Sequence, residues 1–225
     1  MHIPPKGTLL FLLLLLPGTL FSLEAYIDYF EGKVTVFSSG EELEAEFGMS
    51  VYESDSITTE SGATAVLSLP YDRIIKLGEN THLNLQSLSE STQIRLSSGS
   101  LFSKVNRLLG KGYSVRTPSM AAGVRGTEFF IAFGRRIEDT PDIWLCVNTG
   151  SVAVSVEGAG KAPADSVIVD AGLGINILGG NRLTEPKEYS WTKDLNWNTD
   201  PSKGSVRDET SLDSVYSDLL DQDYD

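Results

Sequence analysis

The chain has 225 residues, 40% of them apolar, and a formal net charge of −13, with 18 Lys and Arg against 31 Asp and Glu. That length allows one medium domain with appendages, and a mean hydropathy of −0.08 fits a globular body. Seven acidic and no basic residues lie between Asp208 and Asp225, and residues 26–207 hold 17 Lys and Arg against 23 Asp and Glu, a net of −6. A mildly acidic body without a basic stripe argues against nucleic acid as a partner and against docking on anionic lipid, since both need clustered cations.

The first element in chain order is a targeting segment. Lys6 precedes an apolar run over residues 9–16, Pro17-Gly18 breaks it, and Thr19, Ser22 and Ala25 follow among larger residues. A short charged region, a short apolar region and a breaker make a secretory signal peptide over residues 1–25, cleaved after Ser22 or Ala25. The run is short of the roughly 20 residues that a membrane helix needs. Residues 26 onward are therefore expected in the periplasm or secreted, with membrane attachment only if the segment stays uncleaved.

From residue 26 to residue 177 the pattern is one of short alternating strands between turns. Residues 33–37, 63–69, 73–77, 81–85, 92–96, 113–117, 128–133, 143–147, 152–156 and 167–169 all read as strands, and Pro70 ends the second of them. Residues 41–47 suit one helical turn or a loop. A small-residue turn recurs before strands, at Ser61-Gly62-Ala63, Ser98-Gly99-Ser100 and Thr149-Gly150-Ser151, where glycine supplies a positive φ or a close backbone approach. The fold class is all-β, with short stacked strands forming either a β-solenoid-like or a β-sandwich body. Residues 178–207 are an irregular, amphipathic extension. In it Trp191 and Trp197 either lay the segment over the β-body or serve as partner-binding anchors. Residues 208–225 read as a disordered acidic tail.

The most distinctive stretch runs from Tyr113 to Ile131. A strand ends at Thr117-Pro118, small residues at Ser119, Ala121, Ala122 and Gly123 permit close backbone crossing, Val124 points to the core, and Arg125 lies between Gly123 and Gly126. Thr127 can bond locally to the turn, and Phe129, Ile131 and Phe133 face inward. This arrangement of Thr117, Pro118, Gly123, Val124, Arg125, Gly126, Thr127 and Phe129 resembles the hallmark of the FecR domain family. Glu31 to Val36, Asp55 to Thr59, Ser61 to Leu67, Ile94 to Phe102, Val147 to Val154 and Val169 to Gly172 resemble further elements of that family, so the likeness covers about residues 31–177. Pro70-Tyr71-Asp72-Arg73 departs from the Asp-Gly-Ser turn the family often has. Signalling members of the family also carry a cytoplasmic segment, a membrane helix and a further C-terminal domain, for which this chain shows no room. The resemblance implies the fold, an extracytoplasmic placement and a binding or scaffold role, with the eight motif residues structural. Its regulatory mechanism is not carried over. Arg125 is expected to be partly buried and paired, so that Arg125→Ala would cost roughly 3–5 kcal/mol.

Catalytic and metal-binding patterns are weak. Only His2 and His82 exist, His82 alternates with Leu83 and Leu85 as a solvent-facing strand residue, and the single cysteine, Cys146, sits in an apolar strand. Residues 105–112 lack the first glycine and the hydroxyl of a phosphate loop, and Ile177 stands where a dinucleotide motif needs its third glycine. Asp221, Asp223 and Asp225 open a calcium-loop spacing that is not completed. No catalytic, cofactor-binding or metal-binding residue is therefore assigned. The expected function is a non-enzymatic extracytoplasmic module that binds or scaffolds an envelope protein or polysaccharide. The alternative is a sensor or signal-transmitting component acting through a membrane partner.

Overall fold

The computed structural model describes residues 23–106, 112–124, 126–137, 140–157 and 166–210. Among the described residues eighteen strands form two nine-stranded sheets that are not closed into a barrel. The chain opens with β1 (Glu24–Glu31) in sheet I, passes to the hairpin β2 (Val34–Ser38) and β3 (Glu41–Glu44) in sheet II, then returns to β4 (Ser50–Tyr52) in sheet I and β5 (Ser56–Thr59) in sheet II. The pair β6 (Thr64–Leu69) and β7 (Arg73–Leu77) joins sheet I, β8 (His82–Ser87) and β9 (Thr92–Ser98) join sheet II, and β10 (Ser100–Val105) joins sheet I. Then β11 (Tyr113–Arg116) and β12 (Met120–Val124) extend sheet II, and β13 (Thr127–Ile137) and β14 (Thr140–Thr149) extend sheet I. Last come β15 (Ser151–Val156) and β16 (Val167–Asp170) in sheet II, and β17 (Gly174–Leu178) and β18 (Arg182–Leu183) in sheet I.

The order in sheet I is 4-1-6-7-10-13-14-17-18 and in sheet II 3-2-5-8-9-11-12-15-16. Apart from the reversed first pair in each, both sheets thus grow in chain order from one end of the molecule to the other. Of the two architectures the sequence allows, the protein is a sandwich, but one laid down unit by unit as a solenoid is. Neighbours are antiparallel except β9 and β11, which run parallel.

The period-2 alternation decides which side chains lie between the sheets. Leu67, Ile75, Leu101, Phe129, Ile131, Leu145 and Ile175 of sheet I meet Val36, Ile57, Leu83, Ile94, Leu96, Val115 and Val154 of sheet II in one buried cluster. Each such side chain contributes roughly 1.5–3 kcal/mol by leaving water.

Backbone dihedrals separate two kinds of turn. Where the described chain changes sheet, one residue takes a positive φ: Gly32, Gly48, Ser54, Gly62, Asn80, Gly99, Gly126, Gly150 or Gly172. Where it folds back within a sheet at Ser39-Gly40, Tyr71-Asp72 and Gly179-Gly180, two consecutive residues do so, and the two-residue Ser39-Gly40 loop has the pair of positive φ values that a type I′ hairpin requires. The three glycine turns that recur in the sequence are all sheet-changing corners. At Gly99, φ is +78° and a Cβ would stand 2.4 Å from Thr81 Cα, so both conformation and space call for glycine.

Two stretches differ from their sequence-based assignment. Residues 41–47, expected as a helical turn or a loop, place Glu41–Glu44 in β3, because the Ser39-Gly40 turn folds the chain back onto β2. Its exposed glutamates line the edge of sheet II, a device that discourages pairing with another sheet. The β-body also runs past Ile177: β17 continues to Leu178 and pairs with β18. Residues 1–22, read from sequence as most of a targeting segment, the residues beyond 210 and Arg125 lie outside the described residues.

Candidate functional site

The family-like motif forms a corner between the sheets. At its start Thr117 is buried, and its Oγ1 accepts hydrogen bonds from the backbone N–H groups of Met120 (3.0 Å) and Ser119 (3.3 Å), which closes the β11–β12 turn beside the exposed Pro118. Gly123 pairs with Ala153 and Ser114 across neighbouring strands, and Val124 is buried against the core. Gly126 turns the chain with a φ of +71° from sheet II to sheet I. A Cβ on Gly150 of the next corner would stand 2.5 Å from Gly126 O, so the two corners are pressed together. Thr127 is buried with its Oγ1 donating to Ser151 O (3.5 Å), a bond to that adjoining corner rather than a local one. Phe129 is fully buried and meets Tyr113 edge-on.

A cleft of about 530 Å³ opens beside these corners, lined by Lys104, Asn106, Thr127, Glu128, Thr149 and Ser151 among others. Burial would raise the Glu128 carboxyl, but Lys104, at 2.5 Å, and Asn148, at 2.9 Å, outweigh it and hold Glu128 below its ordinary value. The buried cation near this end is Arg73. It is 2% exposed, donates to Thr92 Oγ1 and to the carbonyls of Glu90 and Gly112 (both 3.0 Å), and lies 5.2 Å from the Tyr71 ring and 5.7 Å from that of Tyr113. It ties β7 of sheet I to the β8–β9 loop of sheet II.

A second site lies on the outer face of sheet I. Cross-strand register puts Val66, Lys76, Phe102, Phe130, Cys146 and Gly174 in one row across β6, β7, β10, β13, β14 and β17, with Ala132, Trp144 and Asn176 in the next row. From β7 to β17 the row spans four strand spacings, about 19 Å. The C-terminal extension lies along it as a strap. Lys187 bridges to Gly174, Tyr189 packs edge-on against Trp144, Trp191 packs edge-on against Trp144 and Phe130, and Trp197 meets Phe102 edge-on at 5.4 Å. Trp191 is 7% exposed and Trp197 half-buried, so the structure places both on the chain's own sheet. Beyond them Asn196 and Asn198 stitch the strap to itself through the carbonyls of Ser205, Arg207, Asp200 and Gly204. Asp208, assigned by sequence to the tail, belongs to this lobe and accepts from Asn196 N at 3.1 Å.

Lys76 ends the row. The residue is 1% exposed, its ammonium lies 3.9 Å from the Phe102 ring centroid, and it donates to the carbonyls of Asn196 and Asn198. Burial pulls it down to about 8, with Asp208 acting in the opposite sense. At the other end the Asn176 side chain is fully buried with neither its Nδ2 nor its Oδ1 hydrogen-bonded, and the buried Trp191 Nε1 also has no partner. Each such group costs about 1–3 kcal/mol.

Sequence reasoning missed Arg73, Lys76 and Asn176. Alternation assigns Lys76 and Asn176 to the solvent face, whereas both are buried, and the strap carbonyls of Asn196 and Asn198 close over Lys76. The available signal was the continuous apolar composition of residues 129–133 and 143–147, which marks strands buried on both faces. Cys146 is buried on that face, with its thiol pushed up by burial, and His82 is exposed with Nδ1 2.9 Å from Thr58 Oγ1. Among the described residues no group of three or more His, Cys, Asp or Glu is placed to hold a metal ion, and no helix is long and apolar enough to cross a membrane.

Comparison with known proteins gives a family match over part of the chain and a fold. Residues 55–153 match the family described as FecR protein. No curated protein matches the chain. Two crystal structures of a candidate anti-sigma factor from Parabacteroides distasonis are similar in fold, each at a TM-score of 0.50 and 15% identity, covering 75% of this chain and 92% or 91% of theirs.

Proposed function

We propose, from the premise that residues 55–153 form a FecR-family domain, that the chain is an extracytoplasmic, non-enzymatic module of the bacterial envelope that acts by binding a protein or polysaccharide partner. The observation that carries this is the use of the family-like motif. Thr117 is spent on closing a turn, Gly126 and Gly150 on a corner, and Phe129 on the core. The motif builds the framework, so recognition falls to surfaces that the framework displays.

The placement rests on the Lys6, apolar-run and Pro17-Gly18 pattern. Of the two cleavage positions, the one after Ser22 fits the fold better. Ala25 is wholly buried in β1 opposite Val51, and Glu24 is opposite Tyr52, so cleavage after Ala25 would remove two paired strand residues. Cell fractionation with N-terminal sequencing is expected to find a mature chain starting at Leu23 outside the cytoplasm. An unprocessed chain in the cytosol would overturn the reading.

A second reading, a signal-transmitting component acting through a membrane partner, is favoured by the fold shared with the Parabacteroides distasonis candidate anti-sigma factor. Deleting the gene should then change the output of an envelope-responsive transcription reporter, and an unchanged output would remove this reading.

A further inference from the structure

The outer row of sheet I is chemically mismatched to the strap that covers it. At its β7 end Lys76 is a buried cation whose hydrogen-bond partners are two neutral carbonyls, those of Asn196 and Asn198; Asp208 of the strap lobe acts on it through space, but among the described residues no ion pair to Lys76 is formed. A buried charge of this kind is ordinarily paired with an opposite one. At the β17 end the Asn176 amide is buried with its donor and its acceptor both open, and Trp191 Nε1 of the strap is open as well. Between the ends lie Phe102, Phe130, Trp144 and Cys146, a continuous apolar track. The strap fills the track well with Tyr189, Trp191, Leu195 and Trp197, but leaves the polar groups at its two ends poorly matched.

The strap is also built to leave as a unit. Among the described residues it adds no strand beyond the single bridge of Lys187 to Gly174, its regular structure is limited to the short 3-10 segments Ser190–Lys193 and Pro201–Lys203, and residues 194–210 are bonded largely to one another.

We propose that the Lys76-to-Asn176 face of sheet I is a docking groove for an acidic peptide segment of a partner protein with aromatic anchors, and that the strap is the chain's own occupant, holding the groove closed until such a segment displaces it. A carboxylate of the partner would pair with Lys76, and a main-chain amide of the partner would meet both ends of Asn176. The rings would take the places of Trp191 and Trp197. This deepens the binding-module reading and rests on it. Failure of the export experiment would change the compartment and leave the groove intact, whereas failure of the following test would remove the groove and leave the compartment.

The probe is a synthetic peptide of residues 187–198, made with either a free C-terminal carboxylate or a C-terminal amide. In the strap Asn198 O lies 3.0 Å from Lys76 Nζ, so the free acid places its carboxylate at the ammonium. The host is the full chain carrying Trp191→Ala and Trp197→Ala, which removes the strap's two tryptophan anchors and leaves the sheet residues of the groove unchanged. The free acid is expected to bind at least about ten-fold more tightly than the amide, and Lys76→Met in that host should erase the difference. Equal binding of acid and amide would show a face that takes only its own strap, from the same or a second copy, and would overturn the proposal, as would binding of neither. Because the double variant can fail to fold, a second measurement uses the wild-type chain. A saturating amount of isotope-labelled free-acid peptide should speed amide hydrogen exchange over residues 189–198 at least about ten-fold, with β13 and β14 staying slow. No acceleration would overturn the proposal.

Discussion

Lys76 and Phe102 stand directly opposite each other across the β7–β10 ladder, and the ammonium of one lies 3.9 Å over the ring of the other. The contact joins a cation to a neutral π-face in a place water does not reach. It also fixes the end of the strap, since the same ammonium holds the carbonyls of Asn196 and Asn198.

That burial predicts a pH dependence. Lys76 is pulled from 10.5 to about 8 in the folded chain. Between these values the unfolded chain binds the proton and the folded chain does not, so stability rises with pH. Lys76's contribution is fully present above the unfolded value and is lost as pH falls through the folded one. Burial is the largest cause of the shift, and the full change is about 3 kcal/mol. Wild type and Lys76→Met should be compared by denaturant unfolding at pH 7.5 and pH 10, where the groups common to both cancel. The stability of wild type relative to Lys76→Met should rise with pH, and a constant difference would place the Lys76 ammonium in contact with water.

The corners predict a graded cost of added side chains. Gly99 and Gly172 have similar φ, +78° and +84°, but a Cβ at Gly99 meets Thr81 Cα at 2.4 Å whereas one at Gly172 meets nothing within 4 Å. Gly172→Ala should cost about 1 kcal/mol from backbone conformation alone. Gly99→Ala adds overlap with a backbone atom that cannot rotate away, so it should cost about 2–4 kcal/mol. Equilibrium unfolding of the two variants gives the comparison, and equal losses would mean that the β9–β10 corner yields freely.

How much of this was legible in the sequence follows from what each residue's position depends on. Ile94, Leu96 and Val115 alternate with polar residues in strands whose outer face meets water, so composition alone assigns their inward face. Ser61-Gly62-Ala63, Ser98-Gly99-Ser100 and Thr149-Gly150-Ser151 are local turns, and their glycines show as turns without any tertiary information. That each of them changes sheet does not show, because the change depends on which strand waits on the other side. Phe130 and Trp144 stand one residue out of the inward frame, and nothing local says that residues 189–197 will cover them. The burial of Lys76 depends on a segment about 120 residues later in the chain, and a strand lysine with no such cover is ordinarily solvated. Arg73 illustrates the same limit: its four partners come from a loop and a strand end that only the completed sandwich brings beside it.

Thr117 gives a test of the motif as framework. Its hydroxyl oxygen accepts two backbone N–H groups at the β11–β12 turn while 1% exposed. Thr117→Val keeps the volume and removes the acceptor, leaving two donors buried, and should cost about 2–3 kcal/mol. Thr117→Ser restores the oxygen and should recover most of that loss. A Ser variant as unstable as Val would assign the role to the methyl group instead, and thermal unfolding of the three proteins distinguishes the cases.

The hairpin turns carry the opposite opportunity, a gain of stability. Ser39 takes a φ of 53° in the two-residue turn between β2 and β3, followed by Gly40 at 88°. Asparagine tolerates that left-handed conformation better than serine, and Asn-Gly is the favoured pair for a type I′ turn. Ser39 is exposed, so Ser39→Asn should add about 0.5–1 kcal/mol without disturbing a contact. Tyr71 also has a left-handed backbone, with a φ of 66°, but its ring stacks 5.2 Å from the buried Arg73 guanidinium. Tyr71→Asn therefore trades a backbone gain against a lost cation–π contact of similar size and should leave stability nearly unchanged. Urea unfolding of both variants reads the difference directly: a gain at both positions would mean that the Tyr71 ring contributes nothing to holding Arg73.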